Sequence, residues 1–311
     1  MKLKGSSPEP ELIDGELTIA SVRASGRKLL ESVSETPGLD ADVLLEHVTG
    51  LDRAGLFARS TEPLDHVAVE RYQSLLERRL AGEPVAYMIG SRSFRTIDLI
   101  VDARVLVPRP ETELLVEAGL AALSGMAGKR RVLDLGTGSG AIALALAAEL
   151  PVDHQPEISI VASDISQDAL DVARTNRTAL GLDDRVELIQ SNLFDRVAGC
   201  FDVVLANLPY LRQDQRHRST AREPELALFA GDDGLDQYRR MFAGISKHLS
   251  EGGFVAVEID PDQSAAVRGL ADASIGGAVV VLKDLAGLDR AVAAGTVDIV
   301  RTVAETTSHG T

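Results

Sequence analysis

The sequence predicts an α/β fold, a mostly parallel sheet covered on both faces and preceded by a small helical bundle. Three observations predict it. From Arg131 onward, short apolar runs alternate with runs of helix formers, the pattern of a parallel sheet with crossover helices. Residues 132–140, Val-Leu-Asp-Leu-Gly-Thr-Gly-Ser-Gly, read as a strand entering a tight glycine turn, and residues 141–148 read as the helix that follows. Upstream, Val69, Tyr72, Leu76 and Leu80 recur at spacings of three and four, as do Leu44, Leu45 and Val48 in a shorter segment.

In chain order, residues 1–15 are rich in Ser, Pro, Glu and Gly and are expected to be a flexible tail. Residues 16–83 are expected to form the helical domain, punctuated at Pro37, Gly38, Gly50, Pro63 and Gly82, with a lid or partner-docking role. The β-branched residues Ile97, Ile100, Val101, Val105 and Val107 predict a β-hairpin linker over 84–108. The main domain is expected over 109–303. It opens with Pro108-Arg109-Pro110-Glu111-Thr112-Glu113, where proline and early acids start a helix running to about Ser124. Strands are expected at Val132–Leu135, Ile158–Ala162, Val186–Gln190, Val203–Asn207, Gly253–Ile259 and Ala278–Leu282, with a last one near Val297–Val300. Helices are expected at Ile142–Glu149, Asp168–Ala179, Leu235–His248 and Asp262–Ala273. Residues 304–311 complete the chain as a second flexible tail.

Composition narrows the function classes. A length of 311 residues suits two domains. A formal net charge of -15 argues against a broad phosphate-binding surface, so a nucleic-acid partner is not expected. One cysteine, Cys200, excludes an internal disulfide framework and a cysteine metal cluster. The six histidines are scattered without metal-ligand spacing, and no G-x-S-x-G elbow occurs. Residues 1–16 carry no apolar core of signal-peptide length, and no apolar run approaches the ~20 residues that span a bilayer. The expectations are a cytoplasmic protein with no membrane partner and no metal, monomeric by default.

Ligands of such sheets bind beyond the carboxyl ends of the strands, where the glycine turn, Asp164 and Asn207 are all expected. Gly136, Gly138 and Ala141 satisfy the loose dinucleotide pattern G-x-G-x-x-G/A. The same stretch resembles the first motif of S-adenosylmethionine methyltransferases. A second stretch favours the methyltransferase reading. Phe201–Ala206 reads as a buried strand ending in Asn207-Leu208-Pro209-Tyr210, which resembles the Asn-Pro-Pro-Tyr signature of amino- and amide-group methyltransferases. The candidate cofactor is S-adenosyl-L-methionine, held by Gly136, Thr137, Gly138, Ser139, Gly140, Asp164, Ile165, Asn192, Leu193 and Asn207. Asp164 follows the second strand and can accept both ribose hydroxyls, or else cap the helix that starts near Ser166. Leu193 offers an apolar surface to an adenine and Asn192 a polar edge.

Asn207, Leu208, Pro209 and Tyr210 are the candidate catalytic residues and, with Arg109, the candidate substrate-binding ones. An amide nitrogen is a poor nucleophile because its lone pair is delocalised. If Asn207 Oδ1 and the Leu208 carbonyl each accept one N–H, the lone pair can be directed at a methyl group, so catalysis becomes positioning. Pro209 is expected to rigidify the turn and the Tyr210 ring to cover the planar group.

Beyond the generic motifs, residues 40–293 resemble the HemK-like N5-glutamine methyltransferase family. Gly82-Glu83-Pro84-Val85-Ala86-Tyr87-Met88-Ile89-Gly90, Leu106–Glu113, Arg222-Glu223-Pro224-Glu225 with Gly231–Leu235, and Lys283–Arg290 carry that resemblance. It implies a Rossmann-like class I S-adenosylmethionine methyltransferase domain with a small N-terminal helical bundle joined by a β-hairpin. It also implies methylation of the glutamine in the Gly-Gly-Gln motif of peptide-chain release factors. Two positions depart from the family: Leu208 stands where it has proline, and Glu258-Ile259-Asp260 where it has Glu-Ile-Gly. A methyltransferase acting on another amide or amine, such as a small metabolite, is therefore an alternative. An N6-adenine methyltransferase and an inactive cofactor-binding protein remain further ones.

Overall fold

A computed structural model describes residues 17–151, 158–216 and 220–308 of the chain. They fall into two units, the first ending at Ile89 and the second starting at Gly90. Most of the two expected tails, residues 1–15 and 309–311, lies outside the described residues.

The first unit is helical, with α1 (Ile19–Leu30), α2 (Pro37–Thr49), α3 (Arg53–Ala58), α4 (His66–Leu80) and α5 (Val85–Ile89). Side chains of Thr18, Asp52 and Asp65 cap three of these helices by accepting from backbone N–H groups. Leu30, Leu44, Leu45, Leu56 and Tyr72 fill the core. The Tyr72 hydroxyl donates to the Ala41 carbonyl (3.1 Å). Tyr72 leaves no room opposite: a Cβ on Gly26 would collide with its hydroxyl oxygen. The buried Asp42 pairs with Arg23.

The second unit opens with the hairpin β1 (Ser91–Phe94) and β2 (Ile97–Ile100), followed by α6 (Glu113–Ser124). Strands and helices then alternate: β3 (Arg130–Leu135), α7 (Ala141–Glu149), β4 (Ile158–Asp164), α8 (Gln167–Ala179), β5 (Val186–Gln190), β6 (Phe201–Ala206), α9 (Asp236–Ile245), β7 (Leu249–Glu258), α10 (Ser264–Ser274), β8 (Ala278–Lys283), β9 (Asp289–Gly295) and α11 (Val297–Ser308). The sheet order is β5-β4-β3-β6-β7-β9-β8, parallel except for β9, which runs against both neighbours. The chain moves outward from β3 through β4 to β5, then returns to the other side of β3 for β6. That reversal opens a crevice beyond the carboxyl ends of β3 and β6, the usual ligand position in such sheets. Leu135 lies level with both Ser163 and Ala206, so the glycine turn, Asp164 and Asn207 emerge side by side.

Three expectations are corrected. The stretch assigned to a hairpin linker, 84–108, is helical over Val85–Ile89, where Ala86 and Met88 are buried in the first unit. Only Ser91–Ile100 forms the hairpin, and it is bound into the second unit. Asn176 of α8 accepts from the Ile100 N–H (2.7 Å) and donates to the carbonyls of Ile100 and Ser139. Arg95 pairs with Glu117 and Glu149.

The last strand is β9, not Val297–Val300. Its Ala-rich sequence has weak strand character, yet it lies inside the sheet, with Ala291, Val292, Ala293 and Ala294 all buried, where small residues let both covering layers approach. Val297–Val300 instead begins α11. Its β-branched residues suggest a strand, but Val300 and Val303 recur at helical spacing and are the buried face. Residues 304–308, expected in the tail, belong to the same helix.

Among the described residues no helix is long and apolar enough to cross a membrane, and no three His, Cys, Asp or Glu side chains cluster to hold a metal.

Candidate active site

The crevice at the switch between β3 and β6 is a cavity of about 360 Å³. One wall is the glycine turn. Gly136 (φ +82°), Gly138 (φ +55°) and Gly140 (φ +89°) all occupy the left-handed region, which side-chain-bearing residues resist. The Gly136 and Thr137 N–H groups donate to the Ser163 carbonyl (2.8 and 2.9 Å), and this ties the turn to β4. Beneath it Asp134 is buried, its Oδ2 accepting from Thr137 Oγ1 (2.6 Å) and the Ala143 N–H (3.1 Å). Its Oδ1 has no partner. Burial pushes its carboxyl up to about 7, against the pull of those two hydrogen bonds.

Asp164 stands at the end of β4, one carboxylate oxygen accepting from Gly138 N–H and the other from Ser166 N–H (2.9 Å each). Burial raises its pKa, while the backbone N–H groups oppose the rise. The helix-cap role belongs to its neighbour: Ser166 Oγ accepts from Ala169 N–H and opens α8. Asp164 lines the cavity with spare carboxylate lone pairs, and beside it Ile165, 45% exposed, adds an apolar face. Leu193 is held in the left-handed region at φ +51° by Ser191, whose hydroxyl donates to the Leu193 carbonyl (2.8 Å) and accepts from Arg196 N–H (2.9 Å). Asn192 Oδ1 accepts from Arg240 Nη2 (2.9 Å).

At the end of β6, Asn207 Nδ2 donates to Thr112 Oγ1 (3.0 Å), and Thr112 donates to Glu258 Oε2 (2.6 Å). Neither Asn207 Oδ1 nor the Leu208 carbonyl accepts a hydrogen bond from the described residues, so two acceptors are free beside the cavity. The Leu208 side chain turns away into the core, at 4% exposure. Arg109 lines the cavity and is tethered by Glu223, whose buried carboxylate also accepts from Val107 N–H (3.0 Å). Burial raises the Glu223 pKa, and the charge of Arg109 pulls it back.

The structure brings together Arg109, Gly136, Thr137, Gly138, Ser139, Asp164, Ile165, Asn192, Leu193, Asn207, Leu208 and Pro209 around this one cavity. Two sequence expectations fall outside it. Gly140 does not face the cavity; it precedes α7, and a Cβ there would meet Leu144 at 2.7 Å. The Tyr210 ring does not cover the site either. Its hydroxyl donates to Glu258 Oε1 (3.3 Å) and its ring packs on the core below. The expected cap over the planar group is therefore corrected to a half-buried support.

Sequence reasoning missed Thr112, Glu258, Leu226, Gln237 and Arg240. Thr112 sits in a motif already singled out, but only as a helix start. Leu226, 57% exposed at the cavity rim, directly follows the stretch Arg222–Glu225, and Arg240 lies on α9, which has no motif of its own.

The residues present fit S-adenosylmethionine. The glycine turn admits close approach, Asp164 offers a carboxylate to hydroxyls, Leu193 and Ile165 give apolar faces, and the buried Ser163 Oγ at the cavity wall has no partner of its own.

Comparison with known proteins bears on the fold and the family. Residues 21–90 match the family model described as PrmC N-terminal domain, and residues 111–224 match the methyltransferase small domain. The release factor glutamine methyltransferase of Xylella fastidiosa is 43% identical over 256 residues, 81% of this chain and 90% of that protein. Its namesake from Neisseria gonorrhoeae is 42% identical over 265 residues, covering 83% and 93%. The crystal structure of the hMettl16 catalytic domain, in complex with a 3′UTR hairpin, aligns with a TM-score of 0.51 at 15% identity, over 63% of this chain and 74% of that one. That last likeness is one of fold alone.

Proposed function

The chain belongs to the release factor glutamine methyltransferase family, and on that premise we propose that it methylates the side-chain nitrogen, N5, of the glutamine in the Gly-Gly-Gln motif of a peptide-chain release factor. S-adenosylmethionine, when bound, supplies an electrophilic methyl group. The turn from Gly136 to Ser139, Asp164, Ile165, Asn192 and Leu193 would hold it. The protein is expected to act in the cytoplasm, with the release factor as its partner.

The observation that carries this reading is the pair of free acceptors at the end of β6. Asn207 Oδ1 and the Leu208 carbonyl suit the two N–H bonds of one primary amide. Holding both fixes the amide plane and leaves the face of the nitrogen toward the cavity. The same two oxygens offset the positive charge that grows on the nitrogen as its bond to the methyl carbon forms and the sulfur–methyl bond breaks; loss of one N–H proton to water then leaves the neutral N-methyl amide. Positioning of this kind contributes up to ~7–11 kcal/mol in favourable cases. Leucine in place of proline leaves this arrangement intact, because position 208 contributes its backbone carbonyl while its side chain lies in the core. Arg109, held by Glu223 at the cavity edge, supports the backbone of an incoming loop.

The test is incubation with labelled S-adenosylmethionine and the release factor of the same host, beside a Gln→Ala version of its Gly-Gly-Gln motif. Label on the first and none on the second is the expected result. Label on neither, with cofactor binding confirmed by calorimetry, overturns the substrate assignment.

A further inference from the structure

Behind Asn207 runs a chain of buried polar groups to which the catalytic reading gives no task. Asn207 Nδ2 donates to Thr112 Oγ1, Thr112 donates to Glu258 Oε2, and the Tyr210 hydroxyl donates to Glu258 Oε1. Thr112 is 4% exposed and Glu258 2%. The direction of these bonds follows from proton counting. A hydroxyl has one proton, and an ionised carboxylate can only accept. While Glu258 is ionised, Thr112 gives its proton to the carboxylate and has only lone pairs for Asn207. The end of the Asn207 amide that faces Thr112 must then be the NH₂, and its oxygen faces the cavity. A neutral Glu258 removes that polarity. It can donate to Thr112, whose proton then turns to Asn207, and the amide reverses to present a donor where a substrate N–H needs an acceptor.

We infer that Thr112 and Glu258 are positioning residues that orient the Asn207 amide, so that only the form with an ionised Glu258 holds a glutamine amide for methylation. The inference rests on the reading of the chain as a glutamine-amide methyltransferase. The groups that face Glu258 are known from each element around it. Thr112 and Glu111 come from the turn before α6, Tyr210 from the segment after β6, and Arg290 from β9. Tyr238 of α9 donates to the Glu258 backbone carbonyl. Burial pushes the carboxyl up to about 7; Thr112, Arg290 and Tyr210 draw it down, and Glu111 adds to the rise. The productive orientation is present above that value and is lost as the pH falls through it.

Two measurements on the full-length protein test the relay. The first is an NMR titration of the Asn207 side-chain amide, assigned by its absence in Asn207→Ala and read without substrate or cofactor. A shift with a midpoint near 7 in the wild type, abolished in Glu258→Gln, is expected. No such shift, or one that persists in Glu258→Gln, overturns the relay. The second compares Thr112→Val with Thr112→Ser. The valine variant is expected to lose roughly 100-fold in kcat with its cofactor dissociation constant unchanged, and the serine variant to recover most of that loss. Equal activity of the two overturns the relay. Wild-type protein that titrates as described but leaves every release factor unlabelled speaks against the substrate assignment alone.

Discussion

Leu208 packs its side chain directly under the glycine turn, with Cδ2 3.1 Å from where a Cβ on Gly136 would stand. The two motifs that define the site thus touch through one leucine and one missing side chain. Leu208 is buried in the same cluster as Leu135, Tyr238 and Ile259, so it supports the turn from below while its carbonyl serves the cavity. Leu208→Ala keeps the carbonyl and empties that space. The expected cost is ~2–5 kcal/mol of folding stability, read from urea denaturation, with weaker cofactor binding by calorimetry. An unchanged urea midpoint would show that the leucine does not support the turn.

Asp164 contributes a second dependence of the turn on its neighbours. Its carboxylate accepts from Gly138 N–H and Ser166 N–H, one on each oxygen. Asparagine can serve only one of them and sets an NH₂ against the other. Hydrogen bonds to charged groups contribute about 1.5–3 kcal/mol. Asp164→Asn is therefore expected to weaken cofactor binding by roughly 10- to 100-fold. Calorimetry at several temperatures would check this, and a change of less than twofold would refute it.

How far these contacts were legible in the sequence depends on their range. The glycine turn, Asp164 and Asn207 were readable because each ends a strand whose apolar run marks it, and because strand ends converge in this fold. Thr112 and Glu258 were not. They lie 146 residues apart and meet only when α6 packs across β6 and β7, and neither carries a periodic signal. Tyr210 was misread for the same reason: its ring follows the buried acceptor Glu258, which is invisible from the tetrapeptide. The strand β9 failed by composition, since alanines suit a crowded interior strand that propensity alone rejects. The helix α11 failed in the opposite sense, its valines and threonines reading as a strand until their helical spacing found a buried face.

Arg109 and Glu223 make an asymmetric pair, the carboxylate fully buried and the guanidinium about a third exposed. Removing the arginine strands a buried charge. Breaking such pairs typically costs ~3–5 kcal/mol, and exposure of the arginine places Arg109→Ala toward the lower end. Glu223→Gln in the Arg109→Ala background is expected to recover most of the loss, because an uncharged amide tolerates burial and can still accept from Val107 N–H. Denaturation of the two single variants and the double variant closes the cycle. A double variant no more stable than Arg109→Ala would mean that the loss comes from packing of the arginine and not from the stranded charge.

The two buried carboxyls beneath the site give stability an unusual pH dependence. Asp134 and Glu258 are pushed up to about 7 by burial, from ordinary values of 3.8 and 4.5. A folded-state pKa above the unfolded one means that the folded protein binds the proton more tightly. Their contribution is then fully present below about pH 4 and shrinks as the pH rises through about 7, where both become charged in place. Across that window each group lowers stability by up to about 1.4 kcal/mol per pH unit. Asp134→Asn cannot ionise and keeps an oxygen for Thr137 and Ala143, so it should remove one group's share of the slope. Urea denaturation of wild type and variant at several pH values between 4 and 8 measures it. A variant less steep than the wild type between these limits is the expected outcome, and identical slopes would mean that Asp134 is already charged in the folded protein throughout the range.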